Sequence, residues 1–195
     1  MTAGTGLRGK TIGTINLITI IESIITGQVV DNNSSFTMSI KLTDQAGKTV
    51  SRNASFHYTA APSVVWTGNS NFDIVDLDGA SKPSKVKISA PGKIEGLTLT
   101  LEFGGSAELA NYVKNRTSNS SLVIDLVNDE MVAEAFKFPT AKTIVGKSEV
   151  NLDLSFMYNI SYDLSPSTNV FTLKVTDKIG KSVAVPLKFK KSVKQ

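Results

Sequence analysis

Apolar and polar residues alternate with a period of two along much of the chain, and this pattern predicts β-strands. The clearest example runs over residues 36–43, where every second residue is apolar and the others are Ser, Thr or Lys. The same alternation occurs over residues 171–176 and again over 183–189. We therefore predict a mostly β protein built from antiparallel hairpins.

Three segments space their apolar residues as a helix does. We predict short helices over residues 20–26, 106–114 and 128–136. The first begins within Thr19-Ile-Ile-Glu22, which has the spacing of a capping box, and ends before Gly27. We expect the second and third as short helical insertions in a β-sandwich, and the first in a unit that precedes it.

One hairpin pattern occurs twice with the same turn. The segment from Phe36 through Asp44 to Gly47 recurs as the segment from Phe171 through Asp177 to Gly180, and each Gly is followed by Lys, Thr or Ser, and Val. Such a turn lets the Asp side chain cap its own backbone and lets the Gly adopt positive φ. Upstream of the hairpins, Gly-Lys-Thr at residues 9–11 parallels Gly-Lys-Ser at residues 146–148.

The repeat divides the chain into two predicted units. Residues 62–195 form a complete immunoglobulin-like β-sandwich, and residues 1–61 form a partial copy that corresponds to its C-terminal half. Half a sandwich exposes apolar side chains whose burial is worth about 1.5–3 kcal/mol each. We expect residues 1–61 to pack on the second unit, on another copy of the chain by self-association, or on a missing N-terminal half.

Composition and charge exclude several classes of function. The chain of 195 residues has no Cys and a single His, His57, so disulfides, thiolate sites, cysteine nucleophiles and multi-His metal sites are excluded. The net charge of +4 is concentrated in the C-terminal tail, at Lys188, Lys190, Lys191 and Lys194. A solvated tail accounts for this mild excess better than a nucleic-acid surface does. The sequence also shows no bilayer-spanning segment and no signal peptide.

Two motifs that suggest catalysis have simpler interpretations. Residues 4–11 match the phosphate-loop pattern, but only three residues precede the match and a strand-like segment follows it, so the required strand and helix are missing. The acidic residues Asp125, Asp129 and Glu130 fall where a helix N-terminus favours negative charge. We therefore predict that the protein is not an enzyme and needs no cofactor.

Two sets of residues are candidate binding sites. Aromatic rings that could stack on a sugar are Trp66, Tyr112, Tyr158 and Tyr162. Carboxylates that could bind calcium lie just before a glycine, at Asp73, Asp76 and Asp78. The alternatives are that Trp66 closes the hydrophobic core and that the three carboxylates belong to a solvated strand end.

The order of several short segments is similar to that of uncharacterised Bacteroidetes surface lipoproteins with immunoglobulin-like domains of the PKD type. These segments are Trp66-Thr-Gly-Asn, Ile88-Ser-Ala-Pro-Gly-Lys-Ile-Glu-Gly-Leu, Leu126-Val-Asn-Asp-Glu, Val145-Gly-Lys-Ser and the hairpin at 171–183. The resemblance covers residues 62–190, and its second half recurs at 9–58. It implies export to the outer-membrane surface or periplasm, with a lipid anchor on an N-terminal cysteine that this chain lacks.

These observations together predict a non-enzymatic cell-surface module for domain spacing or adhesion. The alternative is an accessory carbohydrate-binding module of a polysaccharide-capture system. The expected partners are a glycan or a surface protein rather than nucleic acid, and membrane contact is expected only through the lipid anchor.

Overall fold

A computed structural model of the protein describes residues 9–28, 30–67, 75–76, 85–104, 107–117, 122–155 and 167–191. The protein is mostly β, with several antiparallel sheets and a few short helices. It divides into two compact units, Met1–Tyr58 and Thr59–Gln195. The boundary lies three residues before the predicted one.

The described part of the first unit consists of one helix and one hairpin. Helix α1 spans Leu17–Ile25, and strands β1 (Ser35–Thr43) and β2 (Thr49–His57) form a two-stranded antiparallel sheet. The alternating sequence places apolar side chains on one face of this hairpin, where Arg52 opposite Ile40 is the exception, and Ser, Thr, Asn, Lys and His57 on the other. None of the residues described in this unit is fully buried. The first unit therefore has no closed core within its described part.

The second unit carries most of the secondary structure. Its described elements are β3 Ser63–Thr67, β4 Val75–Asp76, β5 Lys85–Ser89, β6 Ile94–Gly104, α2 Ala107–Lys114, β7 Val123–Asp125, α3 Glu130–Ala135, α4 Ala141–Ile144, β8 Glu149–Asp153, β9 Ser167–Asp177 and β10 Ser182–Lys191. These strands form two sheets, with the orders β4-β10-β9-β6-β7 and β3-β5-β8. The described pairings are antiparallel except that of β4 with β10.

One hydrophobic core joins the two sheets of the second unit. Alternate residues of β6 and β9 are fully buried, and so are those of β5. Across the core, the rings of Trp66 on β3 and Phe189 on β10 lie 5.2 Å apart, and the rings of Phe171 and Phe189 lie 5.0 Å apart. The period of two that the sequence shows is therefore the period of burial on both sheets.

The predicted helices form, with shifted ends. The first begins at Leu17, because Asn16 Oδ1 accepts hydrogen bonds from the N–H groups of the next turn, so the capping box at Thr19 is not the start. The second and third helices, α2 and α3, lie within the predicted ranges. Helix α4 was not predicted, since its four residues are too few for a periodic signal.

The two hairpins have the same turn. In the first, Asp44 N–H donates to the Lys48 carbonyl at 2.9 Å and Asp44 Oδ1 accepts from Lys48 N–H at 2.8 Å. In the second, Asp177 and Lys181 make the same two hydrogen bonds at 2.9 and 2.8 Å. The glycine three positions after each Asp has a φ of 81° or 83°, as the sequence predicts.

Register counted from these turns corrects the alignment of the strands. Equivalent cross-strand pairs are Leu42–Val50 with Val175–Val183, Met38–Ala54 with Phe171–Leu187, and Phe36–Phe56 with Asn169–Phe189. The sequence pattern aligned Phe36 with Phe171. Phe36 lies eight residues before Asp44, however, whereas Phe171 lies six residues before Asp177. Met38 therefore occupies the position of Phe171. Strand β1 therefore corresponds to β9, and β2 corresponds to β10.

The upstream part of the repeat also has a structural counterpart. Gly9 and Gly146 both adopt positive φ, at 73° and 77°. Asn16 Oδ1 accepts from the N–H two residues later at 3.1 Å, and Asp153 Oδ1 accepts from the corresponding N–H at 2.9 Å. Similar local structure thus precedes both hairpins.

Replacement of Gly92 by Ala should destabilise the second unit. A Cβ at Gly92 would lie 2.7 Å from Cγ of Asp177 and closer still to its Oδ2. Asp177 is fully buried and held by its turn, so it cannot move aside cheaply. We expect Gly92→Ala to lower the free energy of unfolding by about 1–3 kcal/mol.

Gly96→Ala is the matched control, because its Cβ would meet Thr176 Cβ at 3.6 Å, an ordinary contact. We expect it to change the free energy of unfolding by less than about 1 kcal/mol. Urea unfolding followed by the fluorescence of Trp66, the only tryptophan, measures both variants. Equal unfolding midpoints for the two would contradict the packing described for Gly92.

Candidate functional site

Trp66, the first of the predicted sugar-stacking residues, lies in the core of the second unit. Its side chain is 2% exposed and its ring packs against Phe189 at an interplanar angle of 59°. A ring buried to this degree has no open face for a sugar. The placement favours the other role considered for Trp66, that of closing the core, and does not support a stacking role.

Tyr112 is half-buried on α2, where it packs against the edge of the core. The guanidinium carbon of Arg116 lies 3.6 Å above its ring centroid, and Arg116 Nη1 donates to the Tyr112 carbonyl oxygen at 3.2 Å. This cation–π contact occupies one face of the ring. Only the opposite face of Tyr112 could take part in stacking.

The remaining aromatic candidates, Tyr158 and Tyr162, lie outside the described residues. The described chain therefore places Trp66 on β3 and Tyr112 on α2, and each has a ring face covered by a neighbour from its own chain. A row of exposed aromatic rings is not among the features of this part of the structure. Carbohydrate binding remains a prediction that depends on the tyrosines.

The predicted calcium ligands are only partly within the described chain. Asp73 and Asp78 lie outside it, and Asp76 ends the short strand β4, which pairs with β10 at Lys190. Within the described ranges, no group of three or more His, Asp or Glu side chains is close enough to hold a metal ion. Calcium binding at residues 73–78 therefore stays a prediction.

The other singled-out carboxylates have local structural roles. Asp125 Oδ1 accepts from the N–H groups of Val127 and Asn128 at 3.0 Å, and its Oδ2 accepts from Asn128 Nδ2 at 2.9 Å. Asp129 Oδ1 accepts from Val132 N–H at 3.2 Å and so caps α3. These two carboxylates are engaged by their own turn and helix.

Asp153 is held as a carboxylate where β8 ends. Hydrogen bonds from the Ser155 hydroxyl and backbone N–H lower its pKa below the usual value of 3.8, burial opposes the shift, and the charge of Lys85 adds to it. Lys85 lies opposite Asp153 in the β5–β8 pairing. Because the folded pKa is lowered, this carboxylate favours the fold above the ordinary Asp pKa, and its contribution is lost as pH falls through the lowered value.

We expect the carboxyl carbon of Asp153 to titrate below the range of a free aspartate in an NMR pH titration. Ser155→Ala should raise this titration midpoint, because it removes the larger of the two hydrogen-bond contributions. Lys85→Met should raise it less. An unchanged midpoint in Ser155→Ala would show that the hydroxyl does not hold the carboxylate.

Asp177 is a buried carboxylate that the sequence pattern did not single out as a site. It is fully buried, its Oδ1 accepts from the N–H groups of Ile179 and Lys181, and its Oδ2 has no hydrogen-bond partner among the described residues. The turn pattern predicted the capping bonds correctly. It could not predict burial, because the equivalent Asp44 has the same sequence signature and is exposed.

The hairpin of the first unit leaves an apolar surface uncovered. The face of β1 and β2 carries Leu42 at 53% exposure and Val50 at 47% exposure, and Met38, Ile40 and Phe56 on the same face are half-buried. We name the apolar face of β1 and β2 the hairpin face. Exposed apolar surface of this kind makes the hairpin face a candidate interaction surface.

No helix in the described part of the chain is long and apolar enough to cross a membrane.

The similarity of this chain to known proteins is weak. No protein family model matches it, and no curated protein is significantly similar to it. Among solved structures, it is weakly similar to a chain from a study of how a 1.5-MDa bacterial ice-binding adhesin is retained at the host cell surface, with 18% identity and a TM-score of 0.23. The match covers 80% of this chain and 40% of that chain. A score this low does not establish a shared fold.

Proposed function

We propose that the protein is a non-enzymatic module of a bacterial cell surface that spaces or presents neighbouring domains, with an immunoglobulin-like β-sandwich as its folded unit. The sandwich assignment is supported by the second unit, where side chains from two sheets enter one core. The ring contact between Trp66 of the three-stranded sheet and Phe189 of the five-stranded sheet is the clearest of these contacts.

The observation that carries the spacing role is the separation of entry and exit in the second unit. Thr59, where the unit begins, accepts a hydrogen bond through its carbonyl from Lys181 Nζ, beside the turn that precedes β10. The described part of the second unit ends at Lys191, the last residue of β10, at the opposite end of this strand from Lys181. Ten residues of strand span about 30 Å. The described chain therefore enters and leaves the second unit at opposite ends of β10.

The cell-surface setting of the proposal is supported by the resemblance to Bacteroidetes surface lipoproteins. A domain with separated ends can project a neighbouring domain away from a membrane anchor, and the repeated hairpin is consistent with tandem units along the chain. The proposal includes export and lipid anchoring of the native protein.

A distance measurement tests the spacing role. The chain has no cysteine, so paired Cys substitutions at Ala61 and Lys190, both exposed, accept spin labels at the two ends of the second unit. Pulsed electron paramagnetic resonance should give one narrow distance distribution near about 30 Å, plus the length of the labels. The matched control pairs Ala61→Cys with Ser182→Cys, which lies at the entry end and should give a clearly shorter distance.

Two results would reject the proposal. Equal distances for the two label pairs would mean that entry and exit do not lie at opposite ends. A reproducible hit on a glycan array, lost in a Tyr112→Ala variant that keeps its unfolding midpoint, would replace spacing by carbohydrate recognition.

A further inference from the structure

The repeated hairpin is covered differently in its two copies. In the second unit, β9 pairs with β10 on one edge and with β6 on the other, and Phe171, Leu173 and Val175 are fully buried. In the first unit, β1 pairs with β2, and no described strand pairs with its other edge. The equivalent side chains Met38, Ile40 and Leu42 are half-buried or exposed.

The outer edge of β1 presents backbone groups that are ready for pairing. Asp44 N–H donates to Lys48 and Tyr58 N–H donates to Ser34, so the even-numbered residues of β1 bond to β2. In an antiparallel pair the hydrogen-bonding direction alternates along the strand. The N–H and C=O groups of Thr37, Ser39 and Lys41 therefore point away from β2, as those of an edge strand do.

We propose that the outer edge of β1 binds an extended segment of a partner protein as an added antiparallel strand, in the way β9 binds β6. The pairing of β6 with β9 in the second unit indicates which sequence pattern the partner strand should have. Strand β6 alternates apolar and polar residues, and its Leu97, Leu99 and Leu101 lie opposite Val175, Leu173 and Phe171 of β9. The equivalent partners on β1 are Leu42, Ile40 and Met38. Main-chain bonds supply affinity in such strand addition, and alternate side chains supply specificity.

Charge further restricts the partner strand. The hairpin over residues 35–57 contains the cations Lys41, Lys48 and Arg52 and one acidic residue, Asp44. In the second unit, Lys174 lies opposite Thr98 of β6, and Lys41 occupies the position of Lys174. A Glu or Asp on the partner at the position of Thr98 would lie opposite Lys41. We therefore assign the partner as a strand with alternating apolar residues and an acidic residue on its polar face.

A synthetic peptide tests this binding on the full chain. The probe is the sequence of β6, Ile94–Gly104, with the change Thr98→Glu and a fluorophore at its N-terminus. Fluorescence anisotropy should show saturable one-to-one binding. A control peptide of the same composition, with apolar and polar positions exchanged, should bind at least about tenfold more weakly, because a one-residue slip turns its apolar side chains away from the hairpin face.

Two proline variants locate the binding edge. Ser39→Pro removes an N–H that points outward from β1 and should weaken peptide binding by about tenfold or more. Asn53→Pro removes an outward N–H from β2 and should leave binding unchanged. Strand β10 already carries Pro186 at the position equivalent to Asn53, opposite Thr172, so this hairpin tolerates proline there.

The proposal is overturned if the full chain does not bind the probe, if both peptides bind equally, or if Asn53→Pro abolishes binding as Ser39→Pro does. Concentration-dependent dimerisation that Ser39→Pro abolishes would also overturn it, because a second copy would then occupy the edge. The comparison of the two peptides uses the unmodified chain, so it decides the matter even if Ser39→Pro fails to fold. None of these outcomes depends on the distance between the ends of the second unit.

Discussion

Trp66→Ala should lower the free energy of unfolding of the second unit by about 3–5 kcal/mol. The indole is 2% exposed and fills the core between β3 and β10, where its ring lies 5.2 Å from that of Phe189. Removing it leaves a cavity that the surrounding strands cannot close, since both sheets contribute to its walls. Circular dichroism in urea measures the effect, because the variant has no tryptophan to follow.

Val65→Ala is the matched control for Trp66→Ala. Val65 is the neighbouring residue of β3, points to the opposite side of the sheet and is 57% exposed. We expect it to cost less than about 1 kcal/mol. In the unmodified protein, Trp66 should emit at shorter wavelength than free tryptophan and resist quenching by acrylamide. A quenchable Trp66, together with equal costs for the two variants, would make Trp66 a sugar-binding candidate again.

Phe189→Ala and Phe56→Ala should have very different effects, although the two residues hold equivalent positions in the repeated hairpin. Phe189 is fully buried and its ring contacts Trp66 and Phe171, so its loss should cost about 3–5 kcal/mol. Phe56 is only half-buried. Urea unfolding followed by circular dichroism, which reports both units, should shift strongly in Phe189→Ala and only slightly in Phe56→Ala.

The same residue type at the same register position makes this comparison specific. An equal shift for both variants would mean that the hairpin of the first unit is buried as deeply as that of the second. The double variant Trp66→Ala/Phe189→Ala adds a further check, because residues in contact are not additive. Its total cost should differ from the sum of the single costs by about 0.5–1.5 kcal/mol.

Local features of the fold could be predicted from the sequence because they depend on neighbouring residues. Alternation identified β1, β9 and β10, and the Asp-x-x-Gly pattern identified both turns together with their capping bonds. The start of α1 was predicted three residues late, because Asn16 competes with Thr19 as the cap and only the structure shows which side chain accepts the bonds.

Features that depend on distant residues could not be predicted in this way. The order β4-β10-β9-β6-β7 joins strands far apart in the chain, and no local pattern specifies it. Asp44 and Asp177 have the same turn sequence, yet only Asp177 is buried. Gly92, in the connection between β5 and β6, packs against Asp177. Two interpretations of Trp66 fitted the sequence, and the contact with Phe189 on the opposite sheet favours the core role.

The central claim is that the same hairpin occurs twice, buried between other strands in the second unit and with an unpaired strand edge in the first. Hydrogen exchange on the full, unmodified chain tests this claim most directly. Amides of β9 and β10 should exchange more slowly than the equivalent amides of β1 and β2 by about a hundredfold or more, because the second hairpin lies in a closed core between other strands. Comparable protection of the two hairpins would contradict this difference. It would show that the first hairpin is covered as the second one is, and that β1 has no edge left to accept a strand.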